Sequence, residues 1–253
     1  ITVLGANDGP VAQNDTGTIL EDGTLTVSDG DGNSTISGAS FVDSFSVSSQ
    51  ETVPAGLAFN TDGTKMFVLG RVGQDVNEYT LSTGFDVSTA SFVDSFSVSG
   101  QETGPTGLAF NTDGTKMFVT GASGDDVNEY TLTTGFDVST ASFVDSFSVS
   151  SQETVPTGLA FNTDGTKMFV TGSAGDDVNE YTLSTGFDVS TASFVDSFDI
   201  SGQETAPYGL AFNTDGTKMF VTGVTGDDVN EYTLSTPFSL VNISGEHTGD
   251  VID

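Results

Sequence analysis

The sequence ASFVDSFSVSGQETGPTGLAFNTDGTKMFVTGASGDDVNEYTLTTGFDVST, residues 90–140, decides the fold of this chain. It recurs with few changes at residues 141–191, and another copy precedes it at residues 39–89. A fourth copy begins at Ala192 and leaves the pattern after Thr236. A period of about 50 residues is typical of repeat architectures in which every copy folds into the same structural unit. We therefore expect four equivalent units.

Each copy contains four short segments with the composition of β-strands. In the quoted copy they are Phe92–Val98, Gly107–Asn111, Lys116–Gly121 and Asp126–Leu132. A hairpin turn at Asp113-Gly114 and a second at residues 122–125 join neighbouring strands, and we expect residues 133–142 to cross to the next repeat. Four short antiparallel strands make one blade of a propeller. The sequence predicts an all-β fold, a β-propeller of four four-stranded blades of about 51 residues each.

More segments are available for the outermost strand of a blade than four blades can use. The candidates are Phe41–Val47, Phe92–Val98, Phe143–Val149, Phe194–Ile200 and Phe238–Ile243. Either the first or the last of them completes the fourth blade, and the other is spare. A spare strand exposes backbone groups that can pair with a neighbouring chain. We favour a closed four-bladed ring; an open arc and two chains that join into eight blades are the alternatives.

The segment PTGLAFNTDGTKMFVTG at residues 105–121 resembles the repeat of YVTN and lactonase-like seven-bladed propellers, in which a P-x-G-L-A-F stretch is the inner strand. The likeness covers residues 39–236 and implies the propeller fold. Lactonase-like propellers that hold a metal use acidic, Asn and His ligands at the central tunnel. His247 is the only histidine here, so we expect no enzyme, although a lactonase-type hydrolase remains a weaker alternative.

Residues 1–38 differ from the repeats and are expected to be a linker or an extended donor strand. Asn7–Ala12, Asn14–Thr16 and Glu21–Val27 resemble the junction between VCBS-type or cadherin-like domains of large bacterial surface proteins. That resemblance implies a secreted, multidomain parent stiffened by calcium, with Asp8, Asp15, Glu21 and Asp22 as further ligands. We expect three parts: residues 1–38, a propeller at 39–237, and a C-terminal strand and tail at 238–253. The start at Ile1 predicts a processed or excised piece.

The formal net charge of −31 excludes several classes of partner. Nucleic-acid binding needs clustered Lys and Arg, and the chain has five in total. An anionic membrane surface would repel it, and no apolar run is long enough to insert into a bilayer. So much like charge favours a salty or calcium-containing medium. The absence of cysteine excludes disulfides and thiolate chemistry. We expect an extracellular or cell-surface location.

Calcium is the cofactor that the acidic residues suggest, because it binds six to eight oxygen ligands. Asp29, Asp31 and Asn33 have the alternating spacing of a calcium loop, but Ser34 and Ser40 stand where such a loop has glycine and an acidic residue. Acidic pairs in the second hairpins are further candidates: Asp125 and Asp126, Asp176 and Asp177, Asp227 and Asp228. A solvated turn that begins a strand is the alternative for these pairs.

Differences between the copies concentrate beside the repeated proline and in the second hairpin, two places that lie at one end of a blade. We predict a contact face there, with Arg71, Thr106, Thr157 and Tyr208 as its residues. Drift in a tolerant loop explains the same pattern. Four lysines recur after the first turn and are expected to balance nearby carboxylates: Lys65, Lys116, Lys167 and Lys218.

Two functions from different classes follow. The first is a structural or adhesive module of an extracellular bacterial surface protein or fibre, which self-associates through strand exchange and is stabilised by calcium. The second is a carbohydrate-binding, lectin-like propeller that reads a cell-surface glycan with its variable face. Sugar sites use aromatic platforms, and Tyr208 is the one aromatic candidate in those loops.

Overall fold

The computed structural model describes residues 41–241. The chain divides into two compact units, Ile1–Val42 and Asp43–Asp253, and every strand described here belongs to the second. The described residues of that unit are all-β, with antiparallel sheets arranged as four propeller blades. The predicted fold class is confirmed.

Each of the first three blades is a four-stranded antiparallel sheet whose strands follow chain order from the inner to the outer edge. Blade 1 comprises β1 (Pro54–Phe59), β2 (Lys65–Gly70), β3 (Asp75–Leu81) and β4 (Ala90–Ser97). Blade 2 comprises β5 (Pro105–Phe110), β6 (Lys116–Gly121), β7 (Asp126–Leu132) and β8 (Ala141–Ser148). Blade 3 comprises β9 (Pro156–Phe161), β10 (Lys167–Gly172), β11 (Asp177–Leu183) and β12 (Ala192–Asp199).

The fourth blade has three strands within the described residues: β13 (Pro207–Phe212), β14 (Lys218–Gly223) and β15 (Val229–Thr233). The prediction that Phe238–Ile243 forms an outer strand is wrong for residues 238–241, and 242–243 lie outside the described range. Phe238 instead adopts a positive φ of 52° and packs on Phe212, as Phe187 packs on Phe161 in the blade before. It occupies the loop that precedes an outer strand.

Phe41–Val47 is also not a strand, although the side chains of Phe45 and Val47 occupy the place of an outer strand. The ring of Phe45 meets Tyr79 edge-on at 5.6 Å, and the ring of Phe96 in β4 meets Tyr130 in the next blade at 5.5 Å. Residues 43–47 therefore pack on blade 1 as the outer strand of a preceding blade would. No strand pairs with them in the described part of the chain. They are therefore not assigned as a strand, because that assignment requires a partner.

The expected crossing at residues 133–142 is wrong. These residues join β7 to β8 within one blade, through a short 3-10 helix at Val138–Thr140 in which the amide of Ser139 donates to the Asp137 side chain. Residues 98–104 make the crossing to the next blade. The repeat motif GFDVST forms this connection because the Asp side chain accepts hydrogen bonds locally and so terminates the strand pairing.

The predicted Asp-Gly hairpin between the first two strands of each blade is confirmed. Gly114 has a φ of 72°, and a Cβ atom there would lie 2.2 Å from the ring of Phe136. Both the backbone conformation and the close ring exclude a larger residue. The glycine thus fixes the hairpin and the loop that packs over it.

Neighbouring blades pack through apolar side chains on facing sheets. Phe67 of blade 1 contacts Phe110 of blade 2 with ring centroids 4.5 Å apart, and the same pair recurs between blades 2 and 3 and between blades 3 and 4. Phe67, Phe118 and Phe169 are fully buried and their partners partly so, and burial of these rings is the main stabilising contribution between blades.

In the described part of the chain, each of the two end blades lacks such a neighbour on one side. Leu57 in β1 is 61% exposed, whereas Leu108 and Leu159 at the same position are 9% and 7% exposed. Val229 in β15 is 62% exposed, and Val127 at the same position is fully buried. Successive inner strands contact one another from β1 to β13, but β1 and β13 share no comparable interface in the described range. This exposure favours the open arc over the closed four-bladed ring.

Candidate functional site

A lysine–glutamate pair joins each blade to the next one. Lys116 Nζ lies 2.6 Å from Glu129 Oε1 and also donates to the carbonyl oxygen of Phe187 in blade 3, at 2.6 Å. Glu129 Oε2 accepts the backbone N–H of Val189 in the same loop, at 3.0 Å. Lys65 and Glu78 hold the blade 2 loop in the same way. The predicted role of the lysines as partners of carboxylates is confirmed, and they also lock the blades together.

Among residues 41–241 the last blade presents this pair without a loop to hold. Lys218 and Glu231 contact each other, with side chains 45% and 50% exposed, whereas the Glu129 side chain is 3% exposed. At the other end, the blade 1 loop has no lysine–glutamate pair to receive it within residues 41–241, and Phe85 is 61% exposed. Each end of the arc therefore carries half of an interface that the interior blades complete.

A buried glutamate organises the second hairpin of every blade. Glu102 is completely buried, and its carboxylate accepts the backbone amides of Gly104, Ser123 and Gly124. Equivalent glutamates are Glu51, Glu153 and Glu204. Sequence reasoning missed them, although the triplet Gln-Glu-Thr stands unchanged in all four copies and was the available signal.

Backbone donors favour the ionised form of two of these carboxylates, Glu51 and Glu204. Burial works to raise the pKa of Glu51, but hydrogen bonds from the amides of Val53 and Gly73 outweigh it and the pKa falls below its usual value. The amide of Gly226 is the main cause of the lowered pKa of Glu204. A carboxylate that is fully used by backbone amides acts as a clamp on the loop.

The acidic pairs lie in these clamped hairpins. Asp125 adopts a positive φ of 52°, and its carbonyl oxygen accepts the amide of Val149. Asp126 begins β7, and its Oδ1 accepts Asn128 Nδ2 at 2.7 Å. Burial raises the pKa of Asp126, partly offset by that hydrogen bond, and the charge of Glu102 raises it further. Asp176 and Asp177 repeat the arrangement. Asp227 shares the positive φ, and the exposed Asp228 accepts Asn230 Nδ2.

No group of three or more acidic or histidine side chains within residues 41–241 is arranged to hold a metal ion. Asp29, Asp31 and Asn33, like Asp8, Asp15, Glu21 and Asp22, lie outside the described residues. Calcium binding by these and by the hairpin pairs therefore stays a prediction.

We expect Asp126→Asn to raise the melting temperature at pH 7 by a few degrees, because the raised pKa means that the fold disfavours the charged carboxylate. The gain should shrink as the pH falls through the raised pKa, where the folded wild type is protonated. Asp113→Asn removes the same charge, but we expect it to lower the melting temperature at pH 7. Hydrogen bonds from Thr115 lower the pKa of Asp113, so that carboxylate contributes stability at neutral pH and loses it as the pH falls.

Calorimetry of both variants between pH 3 and pH 7, in calcium and in EDTA, checks this pair of predictions. A loss of stability in Asp126→Asn that appears only with calcium would contradict it and would identify Asp126 as a ligand.

The four predicted contact residues occupy three environments. Arg71 is exposed in the second hairpin of blade 1. Thr106 and Thr157 are buried, and their hydroxyls donate to the carbonyls of Pro156 and Pro207 in the following blade, each at 2.8 Å. Their observed bonds connect inner strands. Tyr208 is half-buried and lines a concave channel.

That channel has a volume of about 160 Å³ and is lined by the inner strands of all four blades. Its walls are the segments Ala55–Leu57, Thr106–Leu108, Thr157–Leu159 and Tyr208–Leu210. The inner strands approach closely at glycine: a Cβ atom on Gly158 would lie 2.9 Å from the carbonyl oxygen of Tyr208. The variable residues beside the proline and the second hairpins lie at the same end of the blades, as the sequence predicted.

The chain is similar in fold to solved structures and spans about half of their length. No protein-family model and no curated protein sequence matches it. A protein from Lactobacillus plantarum is 14% identical, with a TM-score of 0.52, over 70% of this chain and 50% of that one. A "putative 6-phosphogluconolactonase" from Bacteroides fragilis is 14% identical, with a TM-score of 0.50, over 70% of this chain and 49% of that one. Hydrazine synthase of Kuenenia stuttgartiensis is 17% identical, with a TM-score of 0.50, over 77% and 49%.

These similarities establish the fold and give no information about activity. Lactonase-like propellers are among the similar structures, which agrees with the resemblance seen in the repeat; the VCBS-type segment lies outside the described residues. No helix in residues 41–241 is both long and apolar enough to cross a membrane.

Proposed function

We propose that this chain is a structural or adhesive module of an extracellular or cell-surface protein, and that it works by associating with copies of itself. The observation that carries the proposal is the pair of half-interfaces at the ends of the arc. Within residues 41–241, blade 1 presents an uncovered apolar face with the loop at Phe85, and blade 4 presents an uncovered face with Lys218 and Glu231. Complementary faces on one molecule favour a head-to-tail contact between molecules.

The negative net charge of the chain favours a function in an environment that is rich in cations. A net charge of −31 opposes association between copies, and screening by salt or binding of calcium reduces that repulsion. We propose calcium as the natural counterion, at the hairpin aspartates and at Asp29, Asp31 and Asn33. A cell-surface fibre or adhesive layer fits these conditions.

We propose no catalytic role. The repeated charged side chains of the described blades are already used, since the lysines hold neighbouring loops and the glutamates hold backbone amides. A screen of lactone and ester substrates tests this part, and turnover above that of a heat-denatured sample would overturn it.

Light scattering with negative-stain imaging, in calcium and then in EDTA, tests self-association. We expect a mass that rises above the 26.1 kDa of one chain, more strongly at high salt or with calcium. A monomer under every condition would overturn the proposal.

A carbohydrate-binding propeller is the second candidate. The observation in its favour is the half-buried ring of Tyr208 at the wall of the 160 Å³ channel, since aromatic faces are common platforms for sugars. Binding on a glycan array, lost in Tyr208→Ala, would support this candidate.

A further inference from the structure

We propose that two copies of this chain close on each other into one eight-bladed ring, in which residues 43–47 of each copy form the outer strand of the last blade of the other. The inference rests on the proposed self-association and specifies its partner, its register and its stoichiometry. Four separate half-contacts support it.

The first half-contact is made by residues 43–47. Phe45 meets Tyr79 with ring planes at 76°, the same angle at which Phe96 meets Tyr130. Phe96 belongs to the outer strand of the blade before Tyr130. Residues 43–47 thus already lie in the position of an outer strand, and the three inner strands of that blade must come from elsewhere.

The second half-contact is the outer edge of β15, which has no strand partner in the described range. In the complete blades, Asn77 lies opposite Ser95 and Asn128 lies opposite Ser146. The same register places Asn230 of one copy opposite Ser44 of the other.

The carbonyl of Asp227, just before β15, would also gain a hydrogen-bond donor from the other copy. The amide of Val149 donates to the carbonyl of Asp125 where an outer strand ends, at 2.9 Å. The equivalent pair across the two copies is the amide of Val47 and the carbonyl of Asp227. A residue predicted as a calcium ligand thus acquires a backbone partner.

The third half-contact is polar. Lys65 donates to the carbonyl of Phe136 while Glu78 accepts the amide of Val138. The equivalent lysine–glutamate pair at the end of the arc is Lys218 and Glu231, and the equivalent loop is residues 85–87 of the other copy. This contact would bury two charged side chains that are half exposed in one chain.

The fourth half-contact is apolar. Blade 1 carries a cavity of about 350 Å³. It is lined by apolar residues that face a neighbour in the interior blades, among them Phe45, Leu57, Met66, Val68 and Val87. Phe220 and Val229 are the matching side chains of blade 4, because Phe67 and Val76 fill this role between blades 1 and 2. An apolar face of this kind needs a cover in water.

The number of copies follows from the geometry of the arc. The match covers 70% of this chain and about half of each solved structure, which indicates an arc of about half a circle, and two such arcs of four blades stay within the eight blades that propellers reach. Closure uses both ends of both copies and therefore stops at two. An open filament would instead leave one uncovered face at each end. The two chains together carry twice the charge of −31, so the ring should form more readily at high ionic strength.

Cross-linking tests the register in a chain that has no cysteine of its own. The double variant Ser44→Cys/Asn230→Cys is oxidised at high salt and its mass is measured without reductant. We expect a covalent dimer joined by two disulfides, since directly opposed strand residues meet the distance that a disulfide requires. The variant Ser49→Cys/Asn230→Cys, displaced along the chain, should give no covalent dimer.

Each other result overturns the ring. A disulfide within one chain would indicate a four-bladed ring, and a ladder of higher multimers would indicate a filament. A dimer by light scattering that does not cross-link would place the interface elsewhere. The filament and the uncross-linked dimer leave the proposed self-association intact, whereas a monomer that does not cross-link removes both.

Leu57→Lys provides an independent test on the apolar face of blade 1. Leu57 is exposed in a single chain, so its replacement should leave the monomer folded while raising the dissociation constant of the dimer by at least about 30-fold. Val144→Lys is the matched control, because Val144 is 50% exposed on an outer strand and the change in charge is the same. Equal association of both variants would contradict the ring.

Discussion

Replacing Lys116 with methionine is expected to lower the free energy of unfolding by about 3 kcal/mol, because removal of one partner leaves a buried charge without compensation. The side chain of Glu129 is 3% exposed, and its carboxylate lies 2.6 Å from Lys116 Nζ. The carbonyl of Phe187 loses its donor as well. For a unit of this size the loss corresponds to a melting temperature lower by roughly 6–12 °C. Urea unfolding followed by tyrosine fluorescence measures it.

Lys218→Met is the matched control, since it removes the same charge from the equivalent position of blade 4. Glu231 is 50% exposed, so its charge stays solvated and the loss should be under about 1 kcal/mol. Both variants are compared in the Leu57→Lys background, in which the proposed ring is absent. Equal losses would mean that the pair acts within its own blade, and the role of Lys116 in joining blades would then be wrong.

The repeat made most of this fold predictable. Lys116–Gly121 and Asp126–Leu132 were predicted with the bounds that the structure has, because their turns carry glycine and their apolar residues face a sheet on both sides. The hairpin at Gly114 was equally clear, since few residues tolerate its positive φ. The residues of a segment and its turns were sufficient to predict a strand wherever that strand and its partner are close in sequence.

Pairing between distant segments was not predictable in this way. Phe238 carries the same apolar character as Phe92, and composition alone placed both in outer strands. Alignment of Pro237-Phe238 with Gly186-Phe187 would have identified the loop instead. Whether the arc closes depends on contacts between the first and last blades, and no periodic pattern encodes these.

The candidate sites show the same difference between features that local sequence predicts and features that depend on distant contacts. Glu102 was missed because an isolated glutamate in a loop resembles a solvated residue, and its burial follows from three backbone amides that only the folded hairpin brings together. Thr106 was predicted from variation between copies, yet variation from alanine to threonine at this position also adds a hydroxyl that bonds the next inner strand. Variation between repeats therefore reports packing between blades as well as contact with partners.

Replacing Glu153 with alanine is expected to destabilise the chain by about 3 kcal/mol, because hydrogen bonds to a buried charged group contribute about 1.5–3 kcal/mol each and exposed loop amides recover part of that from water. Glu153 is completely buried, and it accepts the amides of Val155 at 2.6 Å, Ala174 at 3.2 Å and Gly175 at 3.0 Å. Thermal unfolding at pH 7 measures the loss.

Asp145→Ala controls for charge, since Asp145 lies on an outer strand with an exposed side chain. It should change stability by no more than about 0.5 kcal/mol. The measurement also separates the two roles open to the hairpin. A clamp made of backbone amides predicts the same loss for Glu153→Ala in calcium and in EDTA. A loss that disappears in EDTA would mean that the wild type gains its stability from a bound ion, and the clamp would then be secondary to a calcium site.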